Sequence, residues 1–195
     1  MRKPAKNQEG IRLRSTLEPG DIGYITYLHG ILYAKEYQWD HTFEGYVADS
    51  LAKFALSYDA RRDRLWIAEM GSQIVGCIGI VGHSDSEAQL RWFIVHPTYR
   101  GQGLGHKLLN EAIQFCREHG YKSIFLWTVS VLQAATHLYQ SAGFRKMEEK
   151  THLIWGHTIT EERYDISLTP QGLLERVHQD GEAVASLRFC YMSGR

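Results

Sequence analysis

The sequence is poor in the residues that clip small folds together. It carries three cysteines in 195 residues, Cys77, Cys116 and Cys190. They are isolated, odd in number and show no CxxC or Cys/His spacing, so neither a disulfide framework nor a zinc site is expected. No other metal is expected, and thiols of this kind fit a reducing cytoplasm. An excess of one charge is also missing, because 22 Lys+Arg balance 22 Asp+Glu. That argues against a nucleic-acid partner and against an anionic membrane surface, while leaving room for a small basic pocket. No apolar run approaches the length of a membrane span. The opening stretch MRKPAKNQEG is polar and lacks the apolar core of a signal peptide. There is no internal repeat and no low-complexity linker. With 44% apolar and 23% charged residues, the composition is that of an ordinary globular chain of one domain plus tails.

Hydrophobic periodicity divides the chain into short elements. Residues 1–9 read as a flexible leader, and alternation over Ile11–Leu17 predicts a first strand. Pro19-Gly20-Asp21 reads as a turn, with Asp21 a candidate helix cap. Ile22, Ile25, Leu28, Leu32 and Tyr33 recur at helical spacing, and a second helix is expected from Phe43 to about Tyr58. Leu65–Met70 and Ile74–Val81 predict a hairpin through Gly71-Ser72, followed by a strand over Ala88–Val95. Leu104–His119 has one apolar face, Leu104, Leu108, Leu109, Ala112 and Cys116, and ends before Gly120, a natural helix stop. Ser123–Thr128 predicts a buried strand and Gln133–Ala142 a helix. Phe144–Ile154 and Arg163–Leu168 predict two final strands. The order β-α-α-β-β-β-α-β-α-β-β implies an α/β (α+β) domain over residues 10–168, with a partly antiparallel sheet covered by helices. Residues 169–195 form a tail, docked or partly disordered, and a homodimer through that tail is one arrangement left open.

The richest stretch is the strand Arg91–Val95, then His96-Pro97-Thr98-Tyr99, then Arg100-Gly101-Gln102-Gly103-Leu104-Gly105 at the mouth of a strong helix. A helix start presents unpaired N–H groups and the positive end of the dipole. Glycines let a phosphate come close, and Arg100 can add charge. A Walker A loop does not fit, since Lys107 follows His106 and precedes Leu108. A Rossmann fingerprint does not fit either, since Gly101, Gly103 and Gly105 are spaced GxGxG and fall late in the sheet.

These residues resemble the GNAT acetyltransferase superfamily. Its cofactor motif, Arg or Gln, two residues, Gly, one residue, then Gly or Ala, is met by Arg100-Gly-Gln-Gly103-Leu-Gly105. A second likeness is Ala135-Thr-His-Leu138-Tyr139 followed by Gln-Ser-Ala-Gly143-Phe144. The resemblance implies a mixed, mostly antiparallel sheet with splayed central strands, and acetyl-CoA as co-substrate. It implies that main-chain groups of Phe93 and Val95, with Ile94 between them, receive the pantetheine arm. The N–H groups of residues 101–106, Gly101, Gln102, Gly103, Leu104, Gly105 and His106, would hold the pyrophosphate. Ala135 and Leu132 would line the cofactor, and Tyr139 would protonate the departing thiolate. Residues 20–60, through Tyr37-Gln-Trp39-Asp40 and Phe43-Glu44-Gly-Tyr46, also resemble a GNAT branch fused behind MarR-type DNA-binding domains. No winged helix precedes them, so a free-standing enzyme without DNA binding is expected.

Two positions depart from the family. Leu132 stands where an Asn often helps hold the cofactor. Gln89 stands where some members carry a glutamate base. Glu87, two residues earlier on the same strand face, is the substitute candidate for that base, and Glu69 a weaker one. Cys77 and Cys116 fall on apolar faces, which disfavours a covalent cysteine route and leaves direct attack of the amine. Tyr37, Trp39, Phe43 and Glu44, with Tyr33, Glu36, Asp40 and Tyr46 nearby, are the candidate acceptor-binding residues, since rings and carboxylates together could hold a cationic amine. The expected function is therefore acetyl transfer to a primary amine of a small molecule or peptide. The alternative is a non-catalytic module that binds acetyl-CoA.

Overall fold

A computed structural model of the chain describes residues 10–169. The leader expected over 1–9, and the tail expected over 169–195 apart from its first residue, lie outside the described residues. The elements are β1 (Arg12–Arg14), α1 (Asp21–Tyr37), α2 (His41–Ser57), β2 (Arg64–Met70), β3 (Gln73–Gly82) and β4 (Glu87–Val95). They continue with α3 (Leu104–Glu118), β5 (Ser123–Val129), α4 (Gln133–Ser141), β6 (Arg145–Ile154) and β7 (His157–Ser167). A short 3-10 turn, Pro97–Tyr99, joins β4 to the glycine loop.

The strands form one sheet in the order β1-β2-β3-β4-β5-β7-β6. Every neighbouring pair is antiparallel except β4 with β5. Helix α3 packs on one face, where Leu104, Leu108, Leu109 and Ala112 meet Trp66, Ile78, Leu90, Ile124 and Leu126. Helices α1 and α2 cover the other face, where Ile25, Leu28, Phe43, Val47 and Leu51 meet Leu65, Ile67, Cys77 and Ile94. In β2 the alternation of Leu65 and Ile67 against Trp66 and Ala68 feeds both cores, as a strand buried on both sides must.

Strand β1 is shorter than the alternation over Ile11–Leu17 suggests. It pairs with β2 from Arg12 to Arg14. There the Arg14 side chain turns into two ion pairs of 2.7 Å, to Asp21 and to Glu69. Asp21 is the first helical residue rather than the cap; Gly20, at φ 102, is the cap. The Asp21 carboxylate accepts the Glu18 N–H and two N–H groups of Arg14, so it stitches the chain entry to α1.

Strand β6 matches the expected Phe144–Ile154 to within one residue, while β7 is longer than the pattern shows and begins at His157 rather than Arg163. Trp155 and Gly156 join them in a tight turn with both residues at positive φ, 52° and 79°. A two-residue hairpin turn with positive φ at both positions normally selects Asn-Gly or Asp-Gly. A tryptophan there carries no turn signal. The conformation is held from outside: the Trp155 carbonyl accepts the Asp40 N–H at 3.1 Å, and the ring packs on Trp39 and Phe43.

Candidate active site at the parting of two strands

Strands β4 and β5 pair from Glu87↔Ser123 to Leu90↔Leu126 and then part. Beyond that point β5 stays with β7, through Trp127↔Arg163 to Val129↔Glu161. The β5-facing backbone edge of Arg91–Val95 is left without a strand partner. Buried backbone groups need partners, so this edge is ready to receive a ligand's amides.

A bulge shapes the same segment. Cys77 pairs with Ile94 while Gly79 pairs with Arg91, so one extra residue sits in β4. It is Trp92, at φ 48, a conformation that costs a bulky residue about 1–3 kcal/mol. In a regular strand Leu90, Trp92 and Ile94 would share a face. Here Leu90 lies in the α3-side core, while Trp92 and Ile94 lie in the α1–α2 core. The bulge therefore reverses the alternation and turns Phe93 and Val95 toward the α3 side. Gly79 makes space for it: a Cβ there would lie 2.6 Å from the Trp92 ring. The indole N–H donates to Ser50 Oγ at 3.0 Å, which holds the ring to α2.

On one side of the gap lies a cavity of about 500 Å³. Its walls include Phe93, Ile94 and Val95 of β4, Arg100, Gly101, Gly103, Gly105 and His106 of the loop and α3, and Leu132, Ala134 and Ala135 at the start of α4. Gly101 and Gly103 adopt φ of 72° and 83°, which glycine enters without strain. No acceptor among the described residues takes the N–H groups of 101–106, and the first bond of the helix is Lys107 N–H to Gly103 O. A row of bare N–H groups at a helix start suits a diphosphate. The exposed edge of β4, which forms part of the cavity wall, suits a pantetheine arm. The residues present thus fit acetyl-CoA.

Most of the expected cofactor residues converge on this cavity, with three exceptions. Gln102 points away, and its amide donates to Thr98 O. Leu104 is buried in the core beneath the loop. Tyr139 lines a second cavity instead. Arg100 reaches the first cavity, yet its guanidinium is held by two bonds to Glu36, 2.8 and 2.9 Å, and by one to Val95 O. Leu132 caps α4 without any side-chain bond, so the cofactor side has no polar anchor there. Tyr37, read as an acceptor residue, lines the cofactor cavity with Tyr33 and Glu36. Only the fold could show that the end of α1 reaches the glycine loop.

The second cavity, about 130 Å³, lies on the α1–α2 face and shares Tyr33, Phe93, Leu132 and Ala135 with the first. Trp39 and Phe43 line it, as do His29, Tyr46, Gln89, Arg91, Trp155 and Glu161. The expected carboxylates are elsewhere. Glu44 is exposed and lies over Gly30 of α1, because one residue along a helix turns a side chain about 100° from Phe43. Asp40 caps α2 through Thr42 N–H at 2.9 Å, and Glu36 is bound to Arg100. Glu87 stands at the far end of β4, where the strands are still paired, next to Arg163 at 3.4 Å. Glu69, on β2 two strands away from β4, is held by Arg14. Neither lines either cavity. The reading from a regular strand missed this because alternation shows which face a residue takes, not how far it lies from the gap.

Tyr139 is buried, and its ring centroid lies 6.0 Å from that of Phe93. Its hydroxyl makes no hydrogen bond among the described residues and opens on the second cavity. Burial pushes its phenol well above the ordinary tyrosine value, and Tyr33 adds to the shift. Tyr33 is raised likewise, mainly by burial. Burial also raises the Cys77 thiol and pushes Cys116 up to about 12, so both are core thiols and not nucleophiles. Cys190 lies outside the described residues.

Two cavities thus meet at the gap between β4 and β5, sharing Tyr33, Phe93, Leu132 and Ala135. In sequence, residues 26–144 match the Acetyltransferase (GNAT) family. That is more than half of the chain, and the protein belongs to this family. It is 33% identical over 117 residues to N-acetyltransferase 8 of Rattus norvegicus, covering 57% of this chain and 53% of the relative. It is 31% identical over 99 residues to N-acetyltransferase 8B of Homo sapiens, covering 48% and 44%. The chain thus spans about half the length of these curated relatives. Among solved structures, an acetyltransferase from Streptococcus agalactiae superposes with a TM-score of 0.68 at 22% identity, covering 82% of this chain and 99% of that one. A GNAT acetyltransferase from Elizabethkingia anophelis with acetyl-CoA bound superposes at 0.57 and 16% identity, covering 83% and 100%. These two likenesses concern the fold.

Proposed function

We propose that the protein transfers the acetyl group of acetyl-CoA to a primary amine of a small molecule or peptide by direct attack. The observation that carries this reading is the meeting of the two cavities at Phe93, Leu132 and Ala135, with the Tyr139 hydroxyl beside the junction. Acetyl-CoA would supply a thioester carbonyl at the gap. The N–H groups of 101–106 would hold the diphosphate, and the unpaired edge of Arg91–Val95 would bind the arm and polarise the carbonyl. Tyr139 would hand its proton to the leaving sulfur. Its raised pKa does not disqualify it, because the same dry surroundings disfavour the thiolate as well as the phenolate. The second cavity would take the acceptor between Trp39, Phe43 and Trp155. Its walls hold rings and no carboxylate of α1 or α2, which favours an amine that enters neutral. The two described cysteines are free and buried, which fits a reducing compartment. Among the described residues no helix is long and apolar enough to cross a membrane.

Calorimetric titration of acetyl-CoA into the wild type and a Gly103→Trp variant tests the cofactor site. Free-thiol release with a panel of amines tests turnover. Binding by the wild type alone, with turnover of at least one amine, is the expected result. Binding without turnover on any amine would favour a module that only senses acetyl-CoA, and no binding would end the reading.

A further inference from the structure

We propose that His29, on α1, is the proton acceptor for the attacking amine, presenting its bare Nε2 to the second cavity. The inference rests on the acetyltransferase reading above and assigns the base that the carboxylates do not supply. His29 is 4% exposed, yet it lines the cavity. Its Nδ1 lies 2.9 Å from the Ile25 carbonyl oxygen one turn back. A carbonyl only accepts, so Nδ1 carries the proton and Nε2 carries the lone pair. No described residue bonds Nε2. The sealed side-chain atoms without a partner among the described residues are Arg64 Nε and Thr136 Oγ1, so Nε2 is open to the cavity. The ring lies parallel to that of Tyr33, at 6.1 Å and 5°, which fixes its direction.

The rest of the wall leaves the role to His29. The other titratable or charged groups facing this cavity are Tyr33, Tyr46, Arg91, Tyr139 and Glu161. The phenols of Tyr33 and Tyr139 stay protonated, held so by burial. Arg91 is a cation whose guanidinium lies 5.1 Å from the Trp92 ring. Glu161 is bound to His152 at 2.8 Å. Gln89 cannot take a proton. Burial holds the pKa of His29 down at about 4, so the imidazole is neutral when the amine arrives. It is too weak a base to strip an ordinary ammonium. It can accept a proton once attack places positive charge on the amine nitrogen, when that N–H becomes far more acidic. In that step the N–C bond forms and the C–S bond breaks. One amine proton moves to His29 Nε2, and the Tyr139 proton moves to sulfur. After release His29 gives its proton to solvent and Tyr139 takes one back, so the balance closes.

The test compares His29→Gln, His29→Ala and Glu161→Gln with the wild type, by thiol release against amines of different basicity and by acetyl-CoA calorimetry. His29→Gln keeps a hydrogen-bond acceptor but cannot take a proton. It should lower kcat about a hundredfold with acetyl-CoA affinity within twofold of wild type. Its rate should also depend more steeply on amine pKa. Both His29 variants turning over within threefold of wild type would overturn the assignment, as would the main loss falling on Glu161→Gln. A wild type that binds no acetyl-CoA would bring down the acetyltransferase reading, and this one with it. Should the variants fail to fold, nitrogen NMR of histidine-labelled wild type decides. An unprotonated Nε2 at neutral pH that shifts on addition of amine supports the role, and a protonated Nε2, or no shift, overturns it.

Discussion

The rings of Trp155 and Trp39 lie 4.5 Å apart, one at the tip of the β6–β7 hairpin and the other between α1 and α2. This contact brings the end of the sheet down onto the helices, and both rings line the second cavity. Trp155→Ala should lower stability by about 3 kcal/mol, read from the denaturant midpoint. It should also raise KM for the amine at least tenfold while acetyl-CoA affinity stays within twofold. An unchanged KM would remove the hairpin tip from the acceptor site.

Tyr139→Phe separates chemistry from packing. The hydroxyl makes no hydrogen bond among the described residues, so its loss should change stability by less than about 0.5 kcal/mol. Turnover should fall about a hundredfold with little change in either KM. Thermal melts and initial rates check both statements, and full activity would make Tyr139 a packing residue only.

Stability should be sensitive to acid through His29. Its folded pKa is about 4, against an ordinary value of 6.5. Between these values the unfolded chain binds more protons than the folded one, so stability falls as pH falls from 6.5 toward 4. The slope is about 1.4 kcal/mol per pH unit and the total about 3 kcal/mol. Above pH 6.5 this contribution is complete and flat. Urea midpoints from pH 7 down to 4 should be flatter in His29→Gln than in wild type.

Gly79→Ala probes the bulge. The added Cβ would meet the Trp92 ring at 2.6 Å, and that ring is tied to Ser50. A loss of about 2–3 kcal/mol is expected by chemical denaturation, as for overpacked cores. A neutral outcome would mean that β4 relaxes its bulge without cost.

Much of the cofactor side was legible in the sequence. Local rules set it: a strand, bare glycines at positive φ, then a helix start whose N–H groups have no partners. Phe93, Arg100 and Gly103 fall on one cavity because they are close in sequence around that joint, and the fold brings Ala135 of α4 to them. The second cavity, proposed for the acceptor, was less legible, since its lining includes residues of α1, α2, β4, β5 and the hairpin tip. Aromatic density marked Trp39 and Phe43, which line the second cavity, but could not separate them from Tyr37, which lines the first, or from Glu44, which faces solvent. His29 gave no signal, because one histidine on the apolar face of a helix reads as packing.

By itself the amino-acid sequence determined the order of elements, the glycine loop at the start of α3 and the family to which the chain belongs. The first two follow from hydrophobic period and turn chemistry, which act over a few residues, and the family follows from the likeness of the Arg100–Gly105 and Ala135–Phe144 motifs. Tertiary structure alone decided where β4 leaves β5 and how the bulge at Trp92 reverses the faces of Phe93 and Ile94. It also decided that Trp155 takes a turn conformation that its residue type disfavours. Each of these is set by contacts between distant segments, Gly79 under Trp92 and Trp39 under Trp155, whose energy outweighs the local preference of the residue concerned.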